Sequence, residues 1–177
     1  MSCPLDCRYL QEGRKFEKPP HVHDSDIPNQ DVQINEAFLA HNEPLLLLMS
    51  SAIAVQALGH NAIDSDVKEA LASLVQSWRT LESGLLYKAE PQNPIAARIA
   101  EGVREAVESL RTAMSSEGLQ LRDPDLMKIF VFLQRLEIRY NNRRPKGRAF
   151  IDLLRAFMPP SKEEQKPPGE PGIILTP

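Results

Sequence analysis

"PLLLLMSSAIAVQALG", residues 44–59, contains no charged side chain over sixteen positions. Glu43 and His60 close it on either side. A helix needs about 20 apolar residues to cross a bilayer, and this run is shorter. We therefore read it as a buried core helix. Asn42 can cap it, and Pro44 falls near its first turn, where a missing N–H costs little. Gly59 is a natural stop. Leu45, Leu48, Met49, Ala52, Val55 and Gln56 line one side, while Leu46, Leu47, Ile53 and Leu58 lie on the others. A helix that is apolar all round is normally enclosed by other helices. The rest of the chain should supply that enclosure.

The flanking segments supply amphipathic helices. Upstream, Asn35 can cap a short helix through Phe38 and Leu39. Downstream, Asp64 can cap a helix with Asp66 in its first turn, where a carboxylate favours the dipole. Val67, Leu71, Leu74, Val75, Trp78 and Leu81 then recur at three and four. The pair Asn93–Pro94 gives a cap and a first-turn proline for a helix striped by Ile99, Val103, Val107, Leu110 and Met114, which Gly118 ends. Asp123–Pro124 repeats the device before Leu126, Ile129, Phe130, Leu133, Leu136 and Tyr140, with Asn141 and Asn142 as the stop. Phe150, Leu153, Leu154 and Phe157 mark a last helix, halted by Pro159 and Pro160.

No segment alternates long enough to build a sheet. The expectation is an all-α, single-domain bundle of four long helices plus short N- and C-terminal helices. Short loops imply that successive helices run antiparallel. The bundle domain spans 32–158. An N-terminal arm with a short helix (1–31) precedes it, and its segment "EKPPHVHDSDIPNQD" is punctuated by Pro19, Pro20 and Pro28. A Pro-rich tail (159–177) follows, with six of the fifteen prolines, and its composition predicts disorder.

Composition narrows the function classes. The chain has 177 residues, 25% charged, and a net charge of −3, unlike a globally basic nucleic-acid binder. Two cysteines are too few for a disulfide scaffold. The N-terminal residues hold no apolar run, since Asp6, Arg8, Glu12, Arg14 and Lys15 interrupt them. These features together predict a cytoplasmic protein. The G-x-x-x-x-G-K-[ST] and G-x-G-x-x-G phosphate cradles are missing from the sequence, as are H-E-x-x-H and G-x-S-x-G. Neither His41 nor His60 has the Glu three positions earlier that a di-iron bundle requires. No catalytic set is assembled, and the balance leans away from an enzyme.

Four features could carry binding. "MSCPLDCRYL" opens the sequence with Cys3 and Cys7. We read Cys3, Cys7 and Leu10 as the apolar side of a small docking helix. A zinc site that adds His21 and His23 in a Cys₂His₂ set is the alternative, and a thiol switch is the third. Residues four apart on a helix place their Cβ atoms about 5–6 Å apart, which is long for an internal disulfide. Apart from that zinc, no cofactor is expected.

The second feature is "RLEIRYNNRRPKGRAF". Residues 135–155 carry Arg135, Arg139, Arg143, Arg144, Lys146, Arg148 and Arg155 against Glu137 and Asp152, a surplus of five cations in an acidic chain. Arg139, Arg143, Arg144, Lys146 and Arg148 could hold an anion. Arg143, Arg144, Lys146 and Arg148 lie on one side of no single helix, so cations that cap the preceding helix and pair with acidic faces, or an acidic protein partner, suit the segment better than nucleic acid. The third is the set Glu101, Glu105 and Glu108 beside Arg98, Arg104 and Arg111, spaced as on a solvated helix face. The fourth is "GIILTP" at 172–177, an apolar group behind a polar spacer that we read as a disordered terminus. The functional expectation is a non-enzymatic helical protein that binds another protein, with no membrane as partner.

Overall fold

The computed structural model describes Tyr9, residues 22–82, Gly84 and residues 88–158. Six α-helices and no strand occur among them. A 3-10 turn at Asp24–Asp26 precedes α1 (Glu36–His41), α2 (Glu43–Gly59), α3 (Asp64–Glu82), α4 (Pro94–Ser116), α5 (Asp123–Tyr140) and α6 (Ala149–Arg155). The expected all-α bundle is the observed fold. Cys3, Cys7, Leu10, His21 and the 159–177 tail lie outside the described residues.

Local rules explain where two helices begin. The Asn35 side chain accepts from Phe38 N at 2.8 Å and opens α1. The Asn93 side chain accepts from Ile95 N at 2.9 Å and opens α4, with Pro94 at the first turn. Both match the sequence reading. Asp64 and Asp123 do not. Each sits in the first turn of its own helix and sends its carboxylate elsewhere. Asp66 serves α3 instead, its Oδ2 accepting from Ile63 N at 2.9 Å, one half of a capping box. Asp123 pairs with Arg111 of α4 at 2.7 Å.

The amphipathic stripes meet in one core. Helix α3 packs most extensively on α5 and then on α4. Helix α2 packs on α4 and α6, and α6 also touches α3 and α5. Val67, Leu71 and Leu74 of α3, Ile99 and Val103 of α4, and Phe130 and Leu133 of α5 are fully buried. The Trp78 and Phe130 rings lie 5.0 Å apart, tilted by 55°, within the range of favourable aromatic pairs. Of consecutive long helices, only α3 and α4 pack extensively on each other. The other extensive pairings skip a helix, α3 with α5 and α2 with α4. Gly102 lets α2 approach α4 closely, because a Cβ there would overlap the Gln56 side chain.

The arm is tied down over residues 28–32. Arg135 of α5 donates to the carbonyls of Pro28, Asn29 and Val32. Gln134 accepts from the Asn29 amide at 2.7 Å, and Arg79 of α3 pairs with Asp31 at 2.6 Å. Arg135 thus holds the arm, a role its place in a basic cluster does not reveal.

Candidate interaction surface

The uncharged run forms α2 as expected, but it is not enclosed. Met49, Ile53, Ala54 and Ala57 are buried against α4 and α6. On the opposite side Leu47 is 38% exposed, Leu48 43% and Val55 49%. Pro44 and Gly59 are also exposed, and Ser51 and Ala52 are half-buried. With about 100° per residue, positions 44, 48, 51, 55 and 59 fall on one stripe. The physical reason for the difference lies in helix count. Helices α4 and α6 cover one flank of α2, α1 touches its start, and none of the six lies over this stripe.

Leu48 also lines a cleft of about 640 Å³. Phe38, Leu45, Leu110, Met114 and Leu121 form its apolar wall. His41, Arg122, Asp125 and Lys128 supply polar groups around it. The Lys128 ammonium stands 5.1 Å from the centre of the Phe38 ring, a cation–π contact. No Ser, Thr or Cys is among its described lining residues. Such a wall suits apolar side chains of a ligand or partner better than nucleophilic chemistry.

The basic junction is a built loop between α5 and α6. Asn141 Oδ1 accepts from Arg143 N at 2.8 Å, and Asn142 Oδ1 accepts from Arg144 N at 3.2 Å. Asp64 N donates to Gly147 O at 2.8 Å and ties the loop to α3. Arg143 and Lys146 adopt left-handed backbone conformations, with φ of 55° and 62°. Arg139, Arg143, Arg144 and Lys146 are exposed, and the Arg143 guanidinium lies 4.0 Å from Asp26. Arg148 differs, since it is 1% exposed. A ligand in solution could reach the first four and not the fifth.

Under the loop lies an acidic pair that sequence reasoning missed. Asp64 accepts from Phe150 N at 3.2 Å and Ile151 N at 3.1 Å, so its carboxylate caps α6 across the bundle. Glu137 of α5 is 1% exposed. Its Oε1 accepts from Asn141 Nδ2 at 2.6 Å, while Oε2 has no hydrogen-bond partner among the described residues. Burial pushes both carboxyl groups above the ordinary carboxylate range, against the bonds that favour the charged forms. The charge of Asp64 adds to the rise at Glu137, and Lys68 opposes it. We read the pair as structural, because Asp64 joins α3 to α6 and Glu137 holds the Asn141 side chain at the end of α5. Spacing alone could not have found it, since position 64 lies 73 residues from position 137.

The set of Glu and Arg residues on α4 also departs from expectation. Glu101 pairs with Lys88 and Arg104, which holds its carboxyl below the ordinary range. Arg104, however, turns inward. Its side chain is only 14% exposed and donates to Ala89 O at 2.8 Å and Ser73 Oγ at 3.2 Å. It ties the α3–α4 connection to the bundle and is not part of a solvated face.

Of the cysteine–histidine set only His23 is described. It is exposed, at the start of the 3-10 turn, where its carbonyl accepts from Asp26 N at 2.9 Å. No group of three or more His, Cys, Asp or Glu side chains able to hold a metal occurs among the described residues. No described helix is long and apolar enough to cross a membrane. No family model, curated protein or solved structure matches the chain.

Proposed function

We propose that this chain is a non-enzymatic helical protein that acts by binding another protein. One observation carries the reading. The outer side of α2 exposes Leu47, Leu48 and Val55 with no charge among them, and through Leu48 it runs into a cleft with an apolar wall and a charged rim. Single exposed apolar residues are ordinary, but a contiguous group on one uncharged stretch of helix, continued by a cleft, supports an interaction site. A photo-cross-linking residue in place of Leu48 tests it. The expected result is a saturable adduct between protein chains that Val55→Asp abolishes. Absence of any intermolecular adduct, with turnover of a small substrate, would overturn the reading.

A second reading is anion binding at the loop that carries Arg139, Arg143, Arg144 and Lys146. Its support is the bonding that pins the loop and leaves those four side chains exposed. Affinity for a polyanion should then fall steeply as salt rises, through counterion release. Binding that ignores salt would count against it.

A further inference from the structure

We propose that the cleft beside α2 binds a free fatty acid, a single carboxylate on a flexible apolar chain. The proposal goes beyond the protein-binding reading and stands without it. The lining of the cleft divides by chemistry. Phe38 of α1, Leu45 and Leu48 of α2, Leu110 and Met114 of α4, and Leu121 of the loop before α5 make the apolar wall. Phe38, Leu45, Leu110 and Met114 are half-buried, so each is drawn into the fold and still keeps some surface open. One chain laid across them removes that surface from water together. The volume of about 640 Å³ lies within the range of about 300–1,000 Å³ common for small-molecule sites. Leucine and methionine dominate the wall, and its single ring, Phe38, already carries the Lys128 ammonium at 5.1 Å. A flexible chain fits such a wall better than a flat ring system.

The polar groups set the charge of the ligand. Arg122, Asp125 and Lys128 are spaced three apart at the start of α5, so neighbouring side chains on one flank reach the cleft. Arg122 and Asp125 form an ion pair at 3.8 Å. Lys128 is half-buried and has no ion-pair partner among the described residues. One uncompensated ammonium therefore stands at the edge of the apolar wall. A carboxylate placed there pairs with it where apolar neighbours weaken screening by water. His41 and Gln120 line the same cleft and can donate hydrogen bonds. Asp125 opposes a second negative charge, so a monoanion suits this rim better than a phosphate. Apolar wall and lone cation are adjacent, so one molecule must carry both complements.

Isothermal titration calorimetry of the full chain tests the site with octanoate, decanoate and dodecanoate, each below its micelle concentration. The expected result is one ligand per chain, with affinity rising about fourfold for each added methylene that the cleft buries. Decan-1-ol has the chain without the charge and should bind about tenfold more weakly than decanoate. Lys128→Met should weaken decanoate by a similar factor and leave the alcohol and the helical circular dichroism unchanged. Lys128→Arg should retain decanoate binding. Leu48→Asp, at an exposed position of the wall, should weaken decanoate about tenfold. Affinity independent of chain length, or untouched by Leu48→Asp, would overturn the cleft as the site. Equal affinity for acid and alcohol, unmoved by Lys128→Met, would overturn the carboxylate. Uptake of many ligands per chain without saturation would mean adsorption only and would overturn the proposal.

Discussion

Helices α2 and α5 make an instructive pair, because both are rich in Leu, Ile and Val and they end up in opposite situations. Helix α5 is striped, and its apolar side meets α3 while Arg135 and Gln134 hold the arm on another flank. Helix α2 is apolar on every side and carries no charge beyond Glu43, and its neighbours cover only part of it. Apolar character alone therefore does not decide burial. What decides it is how many partners the fold can bring to each side.

That contrast can be broken by substitution, and the largest effect belongs to the covered side. Phe130→Ala should cost about 3–5 kcal/mol, because it empties a fully buried site beside Trp78. Urea unfolding measures this, and a loss below about 1 kcal/mol would show that the α3–α5 interface is far looser than described. Asp64→Ala comes next, at about 1–2 kcal/mol, since it strips the cap from α6 and leaves two buried N–H groups unmatched. An unchanged midpoint would mean that α6 does not depend on that cap.

Glu137→Gln should have a smaller effect of opposite sign. The folded carboxyl is pushed upward by burial, so its contribution is most favourable below the ordinary value of 4.5 and is lost as pH rises through the folded value. Glutamine keeps an acceptor for Asn141 and carries no charge. The variant should match the parent in acid and gain on it as pH rises to neutrality. A difference that is flat with pH would show that the Glu137 charge is not under strain. Asp31 and Glu101 work in the other sense, because Arg79 and Lys88 hold their carboxyl groups low. Their stabilisation is present above the ordinary carboxylate values and is lost as pH falls. The smallest effect is reserved for the open side of α2. Leu48→Ser and Val55→Ser should shift monomer stability by no more than about 0.5 kcal/mol. A loss of 2 kcal/mol or more, near that of a core truncation, would mean that the outer side is covered after all.

Much of the candidate surface was readable as composition and unreadable as geometry. The uncharged run announced itself, yet nothing in it separates an inner from an outer side, because every side is apolar. Only the placement of α4 and α6 makes that distinction. The cleft is assembled from α1, α2, α4, α5 and the loop before α5, so no local pattern could display it. The cationic segment was plain as a count. That Arg135 grips the arm, Arg148 is buried and five others remain outside follows from the path of the chain.

The sequence by itself determined where helices form and which residues of α3, α4 and α5 face inward, except Tyr140 at the end of the α5 stripe, which is 43% exposed. Those choices rest on interactions within a few residues, namely helical periodicity, asparagine caps and first-turn prolines. The tertiary structure alone decided which helix each polar side chain serves. Asp64 caps α6, Asp123 pairs with α4, and Arg104 and Arg135 bind distant carbonyls. Long polar side chains reach whatever unsatisfied group packing sets beside them, and packing is a property of the whole chain.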